Sequence, residues 1–251
     1  MEQKALYDYL LLLGDNSMIL GQRLGELCGH GPELETDIAL TNVSLDLFGQ
    51  VRNYFQYAAE LKGEGVTEDS IAMLRLEHEY KNALLVEQPN RDFAYVICRQ
   101  FLFDTYHQLL LTELMNSKNR QIAAIAHKSI KEVDYHFDLS STWMQRLGDG
   151  TEESNERLNE AFGFLWRYSM ELFKPTETET LMAEMGVGPD LELLQPIYLE
   201  RVKDVLVKSD ISFPEKTTFQ YGGKAGRHTE YMGYILAEFQ YMQRAYPNMQ
   251  W

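Results

Sequence analysis

Acidic and histidine side chains spaced three residues apart inside apolar segments are the groups in this sequence that could carry out chemistry. Asp104 and His107 have this spacing in the most apolar segment of the chain, and Glu77 and Tyr80 repeat it. An i, i+3 pair projects from one face of a helix, the arrangement in which a carboxylate and an imidazole can reach one metal ion. A lone histidine in an apolar helix is more often a hydrogen-bonded core residue than a metal ligand. These pairs therefore fit a buried polar network as well as a metal site.

A polar stripe on another segment strengthens the pattern. The stripe consists of Asn42, Asp46, Gln50 and Asn53, which are spaced four, four and three residues apart. Apolar residues flank it on both sides. A buried carboxylate is costly unless it is paired, hydrogen-bonded or bound to a metal. If the stripe faces inward, Asp46 is a candidate member of a metal site or polar network. If the stripe is a solvated helix edge, Asp46 has no such role. His136 adds a fourth candidate helix, three residues after Val133.

The elements that would position these groups are helices, because apolar residues recur at three- and four-residue spacing in most long segments. Capping and breaking residues divide the chain into predicted helices at 5–27, 36–61, 67–87, 92–115, 120–147, 151–173, 190–207 and 229–245. Pro196 is expected to kink or divide the seventh helix. Residues 175–190 are predicted to form a long loop with at most one helical turn. We expect one all-α domain spanning residues 1–251.

Composition and charge narrow the classes of function. The chain has 251 residues and a formal net charge of −15, so it lacks the basic surface that nucleic-acid binding requires. Cys28 and Cys98 are its only cysteines, too few for a disulfide framework. The N-terminal residues lack the pattern of a secretory signal, and the longest apolar run near the start, 10–13, is far too short to span a membrane. We therefore expect a cytoplasmic protein.

Several segments distributed over nearly the whole chain carry a family resemblance. They read GQRLGELCGHGPELETDIALTNVSLDLFGQVRNY, LLVEQPN, AIAHKSIKEVDYHFDLS and YGGKAGRHTEYMGYILAEFQYMQR with its closing NMQW. On these residues the chain resembles the structural-subunit family of bacterial phenylacetyl-CoA epoxidase, the multicomponent oxygenase that epoxidises the ring in aerobic phenylacetate breakdown. The resemblance implies a ferritin-like four-helix bundle with additional N- and C-terminal helices.

The resemblance also implies that the diiron ligands of the homologous catalytic subunit have counterparts here. These counterparts form a vestigial site: Asp46, Glu77, Tyr80, Asp104, Val133 and His136. Tyr80 replaces an imidazole and Val133 replaces a carboxylate. Valine can neither ligate iron nor balance its charge, so we expect this chain to hold no metal and to have no catalytic residues. Tyr80 and His136 are instead expected to hydrogen-bond the remaining carboxylates in a buried network.

On this resemblance the chain is a non-catalytic subunit that stabilises the diiron catalytic subunit. A small bridging subunit and an NADPH-fed reductase with FAD and an iron–sulfur cluster complete the implied complex. One alternative is a mono- or dinuclear metallo-oxidase that uses Asp46, Glu77, Asp104 and His136, with His107 nearby. Another is a binding role in which the vacated pocket, or the basic loop containing Lys224, Arg227 and His228, contacts coenzyme A phosphates, since lysine and arginine bind phosphate well. The same loop also fits an exposed turn or a turn that contacts a partner protein.

Overall fold

The computed structural model describes residues 2–247 and 249. It is all-helical, consistent with a ferritin-like helical bundle, so the predicted fold class is confirmed. The helices are α1 Glu2–Leu27, α2 Leu34–Lys62, α3 Glu68–Met73, α4 Phe93–Leu114, α5 Arg120–Gly148, α6 Glu152–Leu165, α7 Glu177–Glu184, α8 Leu191–Lys208, α9 Glu230–Phe239 and α10 Tyr241–Ala245. Short 3-10 segments occur at Glu77–Glu79, Trp166–Phe173 and Gly223–Ala225. Of the quoted closing NMQW segment, all but Met249 lies outside the described residues.

The chain divides into two compact units, Met1–Pro89 with Gly222–Trp251, and Asn90–Tyr221. The prediction of one domain over residues 1–251 stays a prediction. None of the described helices is both long enough and apolar enough to cross a lipid bilayer.

The first unit is built on the α1–α2 pair, whose bounds agree with the predicted helices 5–27 and 36–61. The inner stripe of α2, which includes Leu40, Val43 and Leu47, is buried. Gly14 and Gly21 of α1 lie under aromatic rings of α2, and a Cβ at Gly14 would overlap the ring of Phe55. Glycine at that position therefore allows the two helices to pack closely.

The prediction of one helix from Thr67 to Glu87 is wrong. Thr67 and Ser70 form the expected capping box, but α3 ends at Met73, and no helix is assigned between Tyr80 and Glu87. The reason is that side chains of α1 take the backbone amides of this segment. Asp15 accepts a hydrogen bond from Lys81 N at 2.8 Å, and Asn16 Oδ1 accepts one from Ala83 N at 2.8 Å.

The second unit contains α4 to α8. The bounds of α4 and α5 follow the predicted helices closely, and the side chains of Asp92, Asn119 and Thr151 cap α4, α5 and α6. The predicted helix 151–173 is wrong in its C-terminal part, because α6 ends at Leu165 and the 3-10 segment Trp166–Phe173 follows it. The prediction of a long loop with one helical turn at 175–190 is wrong, because a Thr176–Glu179 capping box starts the eight-residue α7. α8 is not divided at Pro196, which excludes one of the two effects expected of this proline.

The last predicted helix, 229–245, is divided at Gln240, which separates α9 from α10. The buried side chain of Gln240 donates hydrogen bonds to the carbonyl of Arg75 at 3.0 Å and to the hydroxyl of Tyr80 at 2.8 Å. These bonds attach the C-terminal helices to the irregular segment that follows α3.

Candidate functional site

A buried polar cluster lies between α4 and α5 within the second unit. We call it the α4–α5 polar cluster: Gln100, Asp104, His107, His136 and Ser140, none of which is more than 3% exposed. Asp104 is its centre. Its carboxylate accepts a hydrogen bond from Gln100 Nε2 at 2.7 Å and another from Ser140 Oγ at 2.8 Å.

Burial controls the protonation of this cluster. It raises the pKa of Asp104 to about 6, although the electrostatic effect of His136 and the hydrogen bonds from Ser140 and Gln100 act in the opposite direction. Burial, together with the electrostatic effect of His136, lowers the pKa of His107 to about 3. His107 is therefore a neutral imidazole near neutral pH, whereas Asp104 titrates just below it.

The two histidines occupy different environments. The ring of His107 packs against Phe103, with centroids 5.0 Å apart, and its Nδ1 has no hydrogen-bond partner among the described residues. His136 lies on α5 and acts electrostatically on both Asp104 and His107. The prediction that His136 belongs to a buried polar group with Asp104 agrees with this arrangement.

Val133 lies on α5 one turn before His136 and is fully buried. A glutamate at this position would share a helix face with His136, as the i, i+3 spacing requires. The isopropyl group provides no donor atom. Position 133 therefore contributes packing between helices and no ligand.

The polar stripe of α2 lies at the boundary between core and solvent. Gln50 is buried and Asp46 and Asn53 are half-buried, but Asn42 is exposed. The stripe is therefore neither the fully inward face nor the fully solvated edge that the sequence allowed.

Glu77 and Tyr80 do not form the helical pair predicted from their spacing. Glu77 is exposed on a 3-10 segment, while Tyr80 is buried in the extended segment that follows. The hydroxyl of Tyr80 donates to the carbonyl of Ala72 at 2.6 Å and accepts from Gln240. Because this hydroxyl has only one proton, which it donates to Ala72, the prediction that it donates a hydrogen bond to Asp46, Glu77 or Asp104 is wrong. Burial raises the pKa of Tyr80, against the effect of the neighbouring Arg75.

Sequence reasoning missed a second buried cluster, in the first unit, centred on Glu87. Its carboxylate accepts hydrogen bonds from His228 Nδ1 at 2.8 Å, Thr229 N at 2.6 Å and Asn82 Nδ2 at 3.0 Å. Arg23 donates two hydrogen bonds to the carbonyl of Glu87, at 3.1 and 2.8 Å. Glu87 was predicted as the last residue of a helix and not as a functional residue, and the acid gave no sequence signal of its partner 141 positions later.

Most of the predicted basic loop is not available to a ligand in solution. Lys224 is only 8% exposed and the imidazole of His228 is buried, whereas Arg227 is exposed. Two glycines bring the loop close to backbone of the segment that follows α3. Cβ atoms at Gly223 and Gly226 would overlap the carbonyl oxygens of Asn82 and His78. The glycine-rich sequence was the available signal for this close packing.

Among the residues that the structure describes, no three or more histidine, cysteine, aspartate or glutamate side chains are grouped so that they could hold a metal ion. The carboxylates at the centres of the two clusters, Asp104 and Glu87, instead accept hydrogen bonds within the chain. What these arrangements can do chemically is to fix the register of α4 against α5 and to hold the loop at residues 222–229 in place.

Comparisons with known proteins agree with the resemblance seen in the sequence. The family model described as phenylacetic acid catabolic protein matches residues 1–251. A curated relative from Escherichia coli (strain K12), named as a subunit of 1,2-phenylacetyl-CoA epoxidase, is 46% identical over 243 residues. The match covers 97% of this chain and 98% of the relative.

Proposed function

Because the chain belongs to the phenylacetic acid catabolic protein family, we propose that it is the non-catalytic structural subunit of a cytoplasmic phenylacetyl-CoA epoxidase. In this function it pairs with the homologous diiron subunit and stabilises it. The similarity to the Escherichia coli epoxidase subunit, which extends over nearly the full length of both chains, supports this role.

The observation that carries the proposal is the side chain at position 133. A diiron bundle takes a Glu-x-x-His pair from each of two helices. On α5 the histidine is present as His136, but the glutamate position holds a fully buried valine. A valine cannot bridge two cations or offset their charge, and Asp104 already accepts two hydrogen bonds from neutral side chains.

The second Glu-x-x-His position supports the same conclusion. Glu77 is exposed on a 3-10 segment, and Tyr80 replaces the imidazole with a phenol that is bonded to Ala72 and Gln240. Phenol is a poor substitute for neutral imidazole as a ligand. The donor set of this chain therefore does not fit a diiron centre, and we place iron, substrate oxidation and oxygen on the partner.

The physical contribution of a subunit without a metal site is rigidity. Two related helical bundles can share a large interface, as the members of permanent complexes often do. A rigid partner would restrict motion of the catalytic bundle and so help to preserve the geometry of its iron ligands. In the wider complex we assign FAD, the iron–sulfur cluster and NADPH oxidation to the reductase, with a small bridging subunit as a further component.

Co-expression tests the proposal. The catalytic subunit is produced with and without this chain, and soluble yield, complex mass, iron content and epoxidation of phenylacetyl-CoA are measured. We expect a stable complex with iron bound by the catalytic subunit only, and a less stable catalytic subunit when it is produced alone. Near-stoichiometric iron or manganese in this chain after separate purification, or a catalytic subunit that is fully stable and active alone, would contradict it.

A further inference from the structure

An exposed groove in the first unit is not needed for anything described so far. We call it the α9 groove; it has a volume of about 510 Å³ and is lined chiefly by Leu76, Glu77, Gly233, Ala237, Tyr241 and Arg244. It lies between the 3-10 segment after α3 and the exposed face of α9 and α10. Gly233 and Ala237 are one turn apart, so the α9 wall has little side-chain bulk at these two positions.

Large apolar side chains are exposed around the groove. Leu76 is 53% exposed and Tyr241 is 59% exposed, although both line the same depression. Tyr234 does not line the groove, but it is 73% exposed on α9 and lies about one helical turn before Ala237, which does line it. Single exposed apolar residues are ordinary, but a contiguous group is typical of an interaction surface. Tyrosine and arginine are also enriched at protein interfaces.

The base of the groove is held in place by hydrogen bonds. Arg244 donates from Nη2 to the carbonyl of Leu74 at 3.2 Å and of Arg75 at 2.9 Å, and from Nε to Gln240 at 2.8 Å. These bonds join the C-terminal helices to the segment after α3. The two walls are therefore positioned before any partner arrives, which lowers the entropy cost of binding.

The charge around the groove selects the occupant. One acid and one cation, Glu77 and Arg244, line the groove, and α9 itself carries two exposed glutamates outside the lining, Glu230 and Glu238, and no lysine or arginine. The chain as a whole has a formal charge of −15. A second copy would bring the same acidic surface against this one, and like charges in contact oppose association. The complementary occupant has an apolar centre and basic flanks.

We propose that the α9 groove docks an apolar segment flanked by lysine or arginine on a different protein, which is the catalytic subunit of the epoxidase. This inference rests on the proposed function and assigns the pairing to a defined surface. Tyr241 and Tyr234 act as aromatic anchors, Gly233 and Ala237 admit the partner's backbone or a bulky side chain, and Glu77 faces its cations.

Two variants test the groove in the co-purified complex of both full chains. Tyr234→Ala with Tyr241→Ala removes the anchors, and Ala237→Arg fills the groove with a long cation. Because these side chains are exposed, circular dichroism and the melting temperature of the isolated chain are expected to stay at their wild-type values. Tyr135→Ala is the matched control, since Tyr135 is an exposed tyrosine (49%) in the second unit.

The dissociation constant is measured by diluting each complex and following its mass. Truncating an anchor residue at an interface usually weakens binding about tenfold or more. We therefore expect the dissociation constant to rise at least roughly tenfold in each groove variant and to stay unchanged in Tyr135→Ala. Glu77→Gln is expected to reduce the salt dependence of binding.

The outcomes separate this inference from the proposed function. If the wild-type chains form no complex, the proposed function fails. If they form a complex whose affinity is the same in both groove variants, the proposed function stands and the groove assignment is overturned. A loss of equal size in Tyr135→Ala, or a groove that supports only self-association of the isolated chain, would also overturn it.

Discussion

His228 and Glu87 form a buried ion pair: Nδ1 of the histidine lies 2.8 Å from Oε2 of the glutamate, and both side chains are fully shielded from solvent. The other ring nitrogen, Nε2, lies 3.1 Å from the carbonyl oxygen of Tyr80. Both nitrogens therefore face oxygen acceptors. An imidazole can donate from both nitrogens only when it is protonated, so this site is built for the imidazolium form.

The first prediction concerns the effect of pH on this pair. Burial opposes the charge on His228, but the hydrogen bond and charge of Glu87, the carbonyl of Tyr80 and the charge of Glu77 together raise its pKa above the ordinary value. A raised folded-state pKa gives stability that is complete below the unfolded value of about 6.5 and is lost as the pH rises through the folded value. We expect the free energy of unfolding, measured with urea, to fall across this window. Glu87→Gln is the control and should remove most of the dependence that His228 contributes.

Removing one partner has a larger effect than changing the pH. His228→Ala leaves the Glu87 carboxylate buried without its cation, which typically costs about 3–5 kcal/mol. The same change frees the loop that contains Gly222 to Arg227, so hydrogen exchange of its amides is expected to accelerate more than exchange in α4. Wild-type protection of the loop in this variant would show that the pair does not hold it.

The second prediction concerns Asp104. Its pKa of about 6 lies above the ordinary aspartate value, so its contribution to stability is present below the unfolded pKa and is lost as the pH rises through about 6. Between about pH 5 and pH 8 this loss is on the order of 1 kcal/mol. Asp104→Asn keeps the shape of the side chain and can still accept from Ser140. We expect the variant to have a flatter pH profile, and to equal or exceed the wild type in stability at about pH 8; an unchanged slope would contradict this account.

The third prediction tests the degenerate ligand position. Val133→Glu restores a Glu-x-x-His pair on α5, and Asp104 of the same unit supplies a further carboxylate. Without metal the new buried acid is expected to destabilise the chain by a few kcal/mol. Ferrous or manganous ion should then raise its melting temperature by binding only the folded state. Val133→Gln has the same size but no charge, and it should show no such rise.

The same position can be combined with the other degenerate one. The resemblance implies that Glu77 and Tyr80 are counterparts of a Glu-x-x-His ligand pair, in which case adding Tyr80→His to Val133→Glu should increase metal affinity further. The structure gives Tyr80 a different role, because its hydroxyl is bonded to Ala72 and Gln240. We therefore expect the double variant to lose stability without gaining affinity over Val133→Glu. Tighter metal binding by the double variant in a competition titration would instead support residues 77 and 80 as counterparts of a ligand pair.

The parts of the fold that the sequence predicted well are those governed by local rules. The bounds of α1, α2, α4 and α5 follow from apolar periodicity with capping residues such as Asn119. The segment after α3 was mispredicted because its conformation depends on Asp15 and Asn16, more than sixty residues earlier, which capture its amides. No property local to residues 74–87 reveals that competition.

The sequence also predicted part of the candidate site, namely the residues that local spacing identifies. Spacing alone indicated that Asp104, His107 and His136 are buried polar residues, and they are. The role of Glu87 depends on a histidine that is distant in sequence, so periodicity could not detect it. The loop at 221–228 looked basic and exposed because composition does not show that its glycines pack against the backbone, which leaves Arg227 exposed but Lys224 buried.

The last prediction isolates that close packing. Gly226 has φ +76° and Gly29 has φ +84°, so alanine is strained at either position. Only at Gly226 would the added Cβ also overlap a neighbour, the carbonyl of His78; at Gly29 nothing lies within 4 Å. Gly29→Ala should therefore cost about 1 kcal/mol, the conformational penalty alone. Gly226→Ala should cost at least about 2 kcal/mol more, because the loop must shift and weaken the His228–Glu87 pair. Urea unfolding of both variants measures the difference, and equal losses would show that the loop gives way to the methyl group without disturbing the pair.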